Sequence, residues 1–125
     1  MEPLNILIVD DEPVNLEVAG LILRAVGHTV RTAANGREAV EVCLTGPERF
    51  DLVIMDLIMP VMSGEEAIRR LRDEPATRDM PILALSAKET RQSGPDVGWN
   101  RFLAKPYQAP DLIRAVLATA TGAVS

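Results

Sequence analysis

The sequence lacks the usual means of cross-linking or anchoring a chain. Cys43 is its only cysteine, so no internal disulfide is possible, and a reducing compartment fits. The start, Met1-Glu2-Pro3-Leu4-Asn5, has no basic n-region. No apolar run is long enough to span a bilayer, so membrane contact is not expected and the cytoplasm is the default location. A cationic excess is also missing. The net charge is -5 and the pI is about 4.8, which argues against binding nucleic acid through a broad basic face. Lysine is scarce: eleven of thirteen cationic residues are arginine, leaving Lys88 and Lys105. A lysine at a special position is then less readily surface filler. There is no linker, internal repeat or low-complexity segment.

What is present reads as one domain over residues 1–125, large enough for a real core. Four apolar runs or short strands end on functional groups. Ile6–Val9 ends on Asp10, Asp11 and Glu12. Leu52–Met55 ends on Asp56, Pro81–Leu85 on Ser86, and Arg101–Ala104 on Lys105-Pro106. Short, fully apolar runs bounded by turn signals read as strands of a parallel sheet buried on both faces. A weaker strand, rich in β-branched residues, lies within residues 28–33.

Helical patterns separate them. Pro13 suits a first helical position, and Val14, Val18, Leu21, Ile22 and Val26 form an apolar stripe that Gly27 stops. Residues 37–44 bury Ala39, Val40 and Cys43, and residues 64–72 bury Ala67, Ile68 and Leu71. The last helix, residues 109–121, turns Leu112, Ile113, Val116, Leu117 and Ala120 inward. Between Lys88 and Gly98 the fourth helix contains Ser93-Gly94-Pro95, which predicts a helix that is short, broken or displaced.

Five β-α alternations predict an α/β fold: a flavodoxin-like, doubly wound, five-stranded parallel sheet in the order 2-1-3-4-5 with helices on both faces. The chain stops after the last helix, so no output domain is expected. In such sheets ligands bind beyond the carboxyl ends of the strands, where the order reverses between strands 1 and 3. Those strands end on Asp10-Asp11 and Asp56.

Three carboxylates at one edge repel unless a cation sits among them, and hard oxygen donors with room for water suit Mg²⁺. Lys105 adds a point charge, Ser86 a hydroxyl, and Asp56 a carboxylate able to attack phosphorus. Each has a plainer reading. Asp10, Asp11 and Glu12 could cap a helix, Asp56 could satisfy turn amides, Ser86 could be an ordinary strand-end hydroxyl, and Lys105 a solvated turn residue. Trp99 and Tyr107 read as surface or rim aromatics, and Cys43 as inert packing.

Taken together, Val9-Asp10-Asp11-Glu12-Pro13, Met55-Asp56-Leu57-Ile58-Met59-Pro60 with Gly64, Ala84-Leu85-Ser86-Ala87, and Phe102-Leu103-Ala104-Lys105-Pro106 resemble the receiver domains of two-component response regulators. The resemblance spans essentially the whole chain. It implies a phosphoacceptor at Asp56 that takes a phosphoryl group from a histidine kinase or histidine phosphotransfer protein. It implies Mg²⁺ held by Asp11, Asp56 and the backbone carbonyl of Ile58, with Asp10 acting mainly through water. Ser86 and Lys105 would contact the phosphoryl oxygens. Phe102 would be an aromatic switch coupled to Ser86, and the Lys105-Pro106 bond would be cis. Ile58 and Lys88 sit at positions that tune phosphoryl lifetime. Such a domain catalyses only its own phosphorylation and dephosphorylation. It signals through a downstream protein target, as a monomer or a phosphorylation-linked dimer.

The sequence departs from the family between Ser86 and Lys105, an interval shorter than expected. Two other readings stand beside a stand-alone regulator. One is a receiver of a hybrid histidine kinase or phosphorelay intermediate. The other is a Mg²⁺-dependent aspartyl-phosphate phosphohydrolase, which would want a second Asp where Ile58 stands. A nucleotide or flavin binder is disfavoured, because Asp10-Asp11 occupies the place of a glycine-rich phosphate loop.

Overall fold

The computed structural model describes residues 3–87 and 98–122. Five strands, β1 (Asn5–Val9), β2 (Thr29–Ala33), β3 (Leu52–Asp56), β4 (Ile82–Ser86) and β5 (Arg101–Ala104), form one sheet in the order β2-β1-β3-β4-β5. Every neighbouring pair is parallel. The helices are α1 (Pro13–Ala25), α2 (Gly36–Thr45), α3 (Gly64–Asp73) and a C-terminal α4 (Ala109–Thr121). This is the flavodoxin-like architecture expected from the alternation. The fourth helix anticipated from the sequence, and Lys88 with it, fall in residues 88–97, outside the described residues. No helix among the described residues is long and apolar enough to cross a membrane.

The apolar runs work because alternate side chains of each strand enter opposite layers. Leu7, Val9, Val53, Met55, Ile82 and Ala84 face α2 and α3. Ile6, Ile8, Leu52, Ile54, Leu83 and Leu85 face α1 and α4, meeting Leu23, Leu112 and Val116. Each buried Val, Leu, Ile or Met among these stabilises the fold by about 1.5–3 kcal/mol. Truncating Ile54 to alanine would cost roughly 2–5 kcal/mol.

Two helices start on side-chain caps. Asn35 accepts from the Glu38 N–H at 2.9 Å, and Ser63 from the Glu66 N–H at 3.2 Å. Glu12, at the start of α1, makes no side-chain cap bond. Its own N–H instead donates to Asp10 Oδ1 at 2.9 Å.

The inward face of α1 differs from the apolar stripe. Ala19, Gly20 and Leu23 are buried, while Val14 and Leu21 are 71% and 60% exposed and Val18 and Val26 also face outward. Small residues let the helix lie close to the sheet, so the most apolar stripe is not the packed one. In α4, Thr119 rather than Ala120 is buried, its hydroxyl donating to the Ala115 carbonyl at 2.6 Å. Trp99 is half-buried against the α2–α3 layer and Tyr107 against the α1–α4 layer, so neither is a free rim aromatic.

One polar hub stands out at the far end of α3. The Arg72 guanidinium donates to the carbonyls of Gly98 (2.9 Å), Arg78 (2.8 Å) and Thr77 (3.3 Å) and to Asn100 Oδ1 (2.9 Å). Asn100 Oδ1 also accepts from the Ile82 N–H at 2.7 Å. Together these bonds join α3 to the entries of β4 and β5.

Candidate functional site

The site forms where β1, β3, β4 and β5 end along one edge. Asp56 is the last residue of β3 and only 5% exposed. Its Oδ1 accepts from the Ile58 N–H at 3.3 Å, so the carboxylate braces the loop that follows it. Gly64 lies against this strand end. Its N–H donates to the Leu57 carbonyl at 3.1 Å, and a Cβ at residue 64 would overlap the Asp56 backbone oxygen. Only glycine lets α3 begin so close to the acid.

Asp10 is 3% exposed, and its N–H donates to the Ala33 carbonyl of the neighbouring strand at 3.2 Å. Asp11 is half-buried. One carboxylate oxygen from each of Asp10, Asp11 and Asp56 lies within 4.8 Å of the other two. Lys105 reaches in from the end of β5, with Nζ 3.0 Å from Asp10 Oδ2 and 3.5 Å from Asp56 Oδ2. The Lys105 N–H donates to the Ser86 carbonyl at 3.0 Å, and the Lys105–Pro106 peptide is cis.

The electrostatics follow from this crowding. Burial pushes the Asp56 carboxyl above the ordinary carboxylate range. Lys105 opposes that shift, Asp10 reinforces it, and the Ile58 N–H opposes it again; the net is upward. Burial pulls the Lys105 ammonium down. Its hydrogen bond to Asp10 and the charges of Asp56 and Asp10 outweigh that, so its pKa is raised. Burial also raises Tyr107, which Lys105 opposes and Asp10 reinforces. Among the described residues, one lysine thus sits against a cluster of three carboxylates, which leaves the set short of positive charge. Three hard oxygen donors at this spacing, two of them buried, fit a divalent cation such as Mg²⁺.

The structure thus brings Asp10, Asp11, Asp56 and Lys105 together. Ser86 ends the adjacent strand and is fully buried. Phe102 lies apart from the acids, half-buried in the α2–α3 layer, with its ring centroid 6.1 Å from that of Trp99. The Ile58 side chain is 52% exposed beside the site. A cleft of about 400 Å³, lined by Asn15, Val18, Ala87, Lys105, Pro106 and Tyr107, opens next to Lys105. Sequence reasoning missed this cleft because it assigned Val18 to the core. Burial further raises the Cys43 thiol to about 11, in keeping with inert packing.

A parallel 2-1-3-4-5 sheet carrying acids on β1 and β3 and a lysine beyond β5 defines the class. The chain matches the response regulator receiver domain family over residues 6–117 and belongs to it. Among curated relatives, it is 33% identical over 115 residues to the probable transcriptional regulatory protein TcrX of Mycobacterium tuberculosis. That match covers 90% of this chain and 47% of TcrX. The chain spans about half the length of that relative. Among solved structures, the chemotaxis response regulator CheY4 of Vibrio cholerae is similar with a TM-score of 0.87 at 31% identity, covering 94% of this chain and 99% of that one. The receiver domain of a sensor histidine kinase from Pseudomonas aeruginosa PAO1 is similar with a TM-score of 0.85 at 33% identity, covering 96% and 99%. Its structure has a magnesium ion coordinated in the active site cleft.

Proposed function

We propose that this receiver accepts a phosphoryl group on Asp56 from a histidine kinase or histidine phosphotransfer protein and signals by changed contact with a downstream protein. The observation that carries this reading is the buried Asp56 carboxylate, facing Asp10 and Asp11 with Lys105 between. A carboxylate oxygen of Asp56 attacks phosphorus, the P–N bond to the donor imidazole breaks, and the imidazole nitrogen leaves with the electron pair. Lys105 offsets the negative charge brought in, and the Ser86 hydroxyl lies at the neighbouring strand end to meet a phosphoryl oxygen. Asp11, Asp56 and the Ile58 carbonyl would hold Mg²⁺ directly, with Asp10 assisting through water. Bound there, the ion supplies charge neutralisation for the transferring phosphoryl group. Ile58 has no side-chain group to orient an attacking water, which favours an aspartyl phosphate that is not hydrolysed unusually fast. Lys88 is the second residue assigned to that lifetime. Phe102 is the aromatic switch, responding to movement of Ser86. Catalysis is limited to the domain's own phosphorylation and dephosphorylation. The lone cysteine favours a cytoplasmic setting.

The donor needs a surface as well as a target. Val14, Val18 and Leu21 form an exposed apolar face on α1 that borders the cleft beside Lys105. We assign the phosphodonor protein to this face. A second reading, a receiver that passes the phosphoryl group onward within a relay, is favoured by the likeness to a sensor histidine kinase receiver.

Intact mass after incubation with Mg²⁺ and acetyl phosphate tests the proposal. Wild type should gain one phosphoryl group and Asp56→Asn none. No gain by wild type would refute phosphoacceptance. Return of the group to a histidine phosphotransfer protein would select the relay reading.

A further inference from the structure

The link between β3 and α3 holds one backbone conformation that its sequence resists. Val61 has φ +70°, a region that strains a β-branched residue. The Met62 N–H donates to the Pro60 carbonyl at 2.8 Å, closing a three-residue turn around Val61. A positive φ inside an i→i+2 bond is the rarer, strained hand of γ-turn. Packing of Val61 does not offset this, because its side chain is 73% exposed. Its neighbours are placed quite differently. Met59 and Met62 are buried, Leu57 N–H donates to the Leu85 carbonyl at 2.9 Å, and Gly64 is pressed against Asp56. The flanks therefore hold a turn that Val61 itself disfavours.

We propose that Val61 is a positioning residue that makes the Leu57–Ser63 loop a two-state element. Its strain is present only while the loop keeps the shape that places Ile58 beside Asp56. Relaxing Val61 to the extended backbone that β-branched residues favour breaks the Met62–Pro60 bond and shifts the exposed Ile58 with it. A cation at the acids then has to hold the loop as well as bind it. This inference rests on the reading of Asp56 as a cation-assisted phosphoacceptor. Because only a fraction of molecules holds the site-forming loop, the apparent affinity for the cation is lowered by that fraction. Glycine at residue 61 removes the Cβ penalty at positive φ and raises that fraction. An isoleucine keeps the β-branch and the strain.

The test uses the full chain and three readouts on wild type, Val61→Gly and Val61→Ile. These are thermal melting in EDTA, hydrogen-exchange protection of the Met62 N–H in EDTA, and an NMR titration with MgCl₂. Val61→Gly should melt higher, protect Met62 more strongly and bind Mg²⁺ ~3–10-fold more tightly. Val61→Ile should behave as wild type in all three. A higher melting point with Met62 protection and Mg²⁺ affinity both unchanged would overturn the two-state loop, since the strain would then be local. A Val61→Gly that melts lower and also protects the Met62 N–H no better than wild type would overturn the strain itself, since glycine's unfolded-state entropy can lower the melting point but not the protection of the native turn. The first two readouts need no metal. A wild type that fails to bind Mg²⁺ but shows them as expected would therefore refute the cation-assisted reading and leave the loop in place.

Discussion

Removing the charge of Asp56 should make the metal-free protein more stable. At an effective dielectric of about 20, Lys105 Nζ at 3.5 Å attracts Asp56 by about 5 kcal/mol. Asp10, with a carboxylate oxygen within 4.8 Å, repels it by about 3–4 kcal/mol. Asp11 lies at similar range but is half-buried, so screening leaves roughly half as much again. Attraction and repulsion nearly cancel, and the cost of burying the carboxylate stays unopposed, on the order of 2 kcal/mol. The upward shift of the Asp56 pKa has the same sign. Asparagine keeps the shape and can still accept from the Ile58 N–H, and Lys105 keeps Asp10 at 3.0 Å. Asp56→Asn should therefore raise Tm in EDTA at pH 8 by roughly 6–10 °C, at about 3–5 °C per kcal/mol for a domain this size. The pH dependence has a definite sign. A raised acid pKa means that the folded state binds more protons than the unfolded state above the ordinary carboxylate pKa. The stability linked to Asp56 is thus fully present below that value and lost as pH rises through the folded pKa. The advantage of asparagine should grow with pH over that window and then level off. Mg²⁺ at tenfold its dissociation constant should return about 1.4 kcal/mol to wild type and less to the variant. Differential scanning calorimetry across pH, with and without Mg²⁺, measures all of this. An asparagine variant that melts at or below wild type in EDTA at pH 8 would refute the charge-deficit account of the site.

Three further outcomes are expected. Leu21→Glu, on the exposed face of α1, should shift stability by less than about 0.5 kcal/mol. It should slow phosphotransfer from a protein donor at least ~10-fold through lost apolar contact, with acetyl phosphate labelling unchanged. Equal slowing with both donors would move the docking face elsewhere. Arg72→Met should cost roughly 3 kcal/mol in urea unfolding, because several carbonyls at the entries of β4 and β5 lose their donor at once. Arg72→Lys should recover less than half of that, since an ammonium cannot span partners set out for a planar fork. Ile58→Asn should shorten the lifetime of phosphorylated Asp56 by supplying a side chain able to orient water. Unchanged hydrolysis would remove Ile58 from that role.

Much of this was legible in the residues. The apolar runs of β1, β3 and β4 mark strands buried on both faces, and the acids that end β1 and β3 mark the edge where the site forms. Lys105 stood out because lysine is scarce. The entry of α3 was legible too, since Pro60 and Gly64 bracket a loop and Ser63 can cap. Neither the hub at Arg72 nor the turn at Val61 follows from a local pattern. The hub's partners are backbone carbonyls and the Asn100 side chain of irregular segments, up to 28 residues away. The turn is imposed by buried neighbours against the preference of the residue that adopts it.

The reading of α1 held at Ile22, which packs against the core, and failed at Val14, Val18, Leu21 and Val26 for a different reason. Helical periodicity reports which side chains share a face, but not whether that face meets the protein's own sheet or another molecule. In α1 the sheet is met by Leu23 together with Ala19 and Gly20, the last two small enough to allow a close approach. Val14, Val18 and Leu21 stay in solvent, at a cost in exposed apolar surface that the fold does not require. A stripe that helps neither the core nor solubility, and that borders the cleft beside Lys105, has a physical reason to exist if a second protein covers it during transfer. The misassigned stripe therefore carries information about the partner. On the proposed reading, the donor's apolar surface would lie along α1, with its reactive group over Asp56.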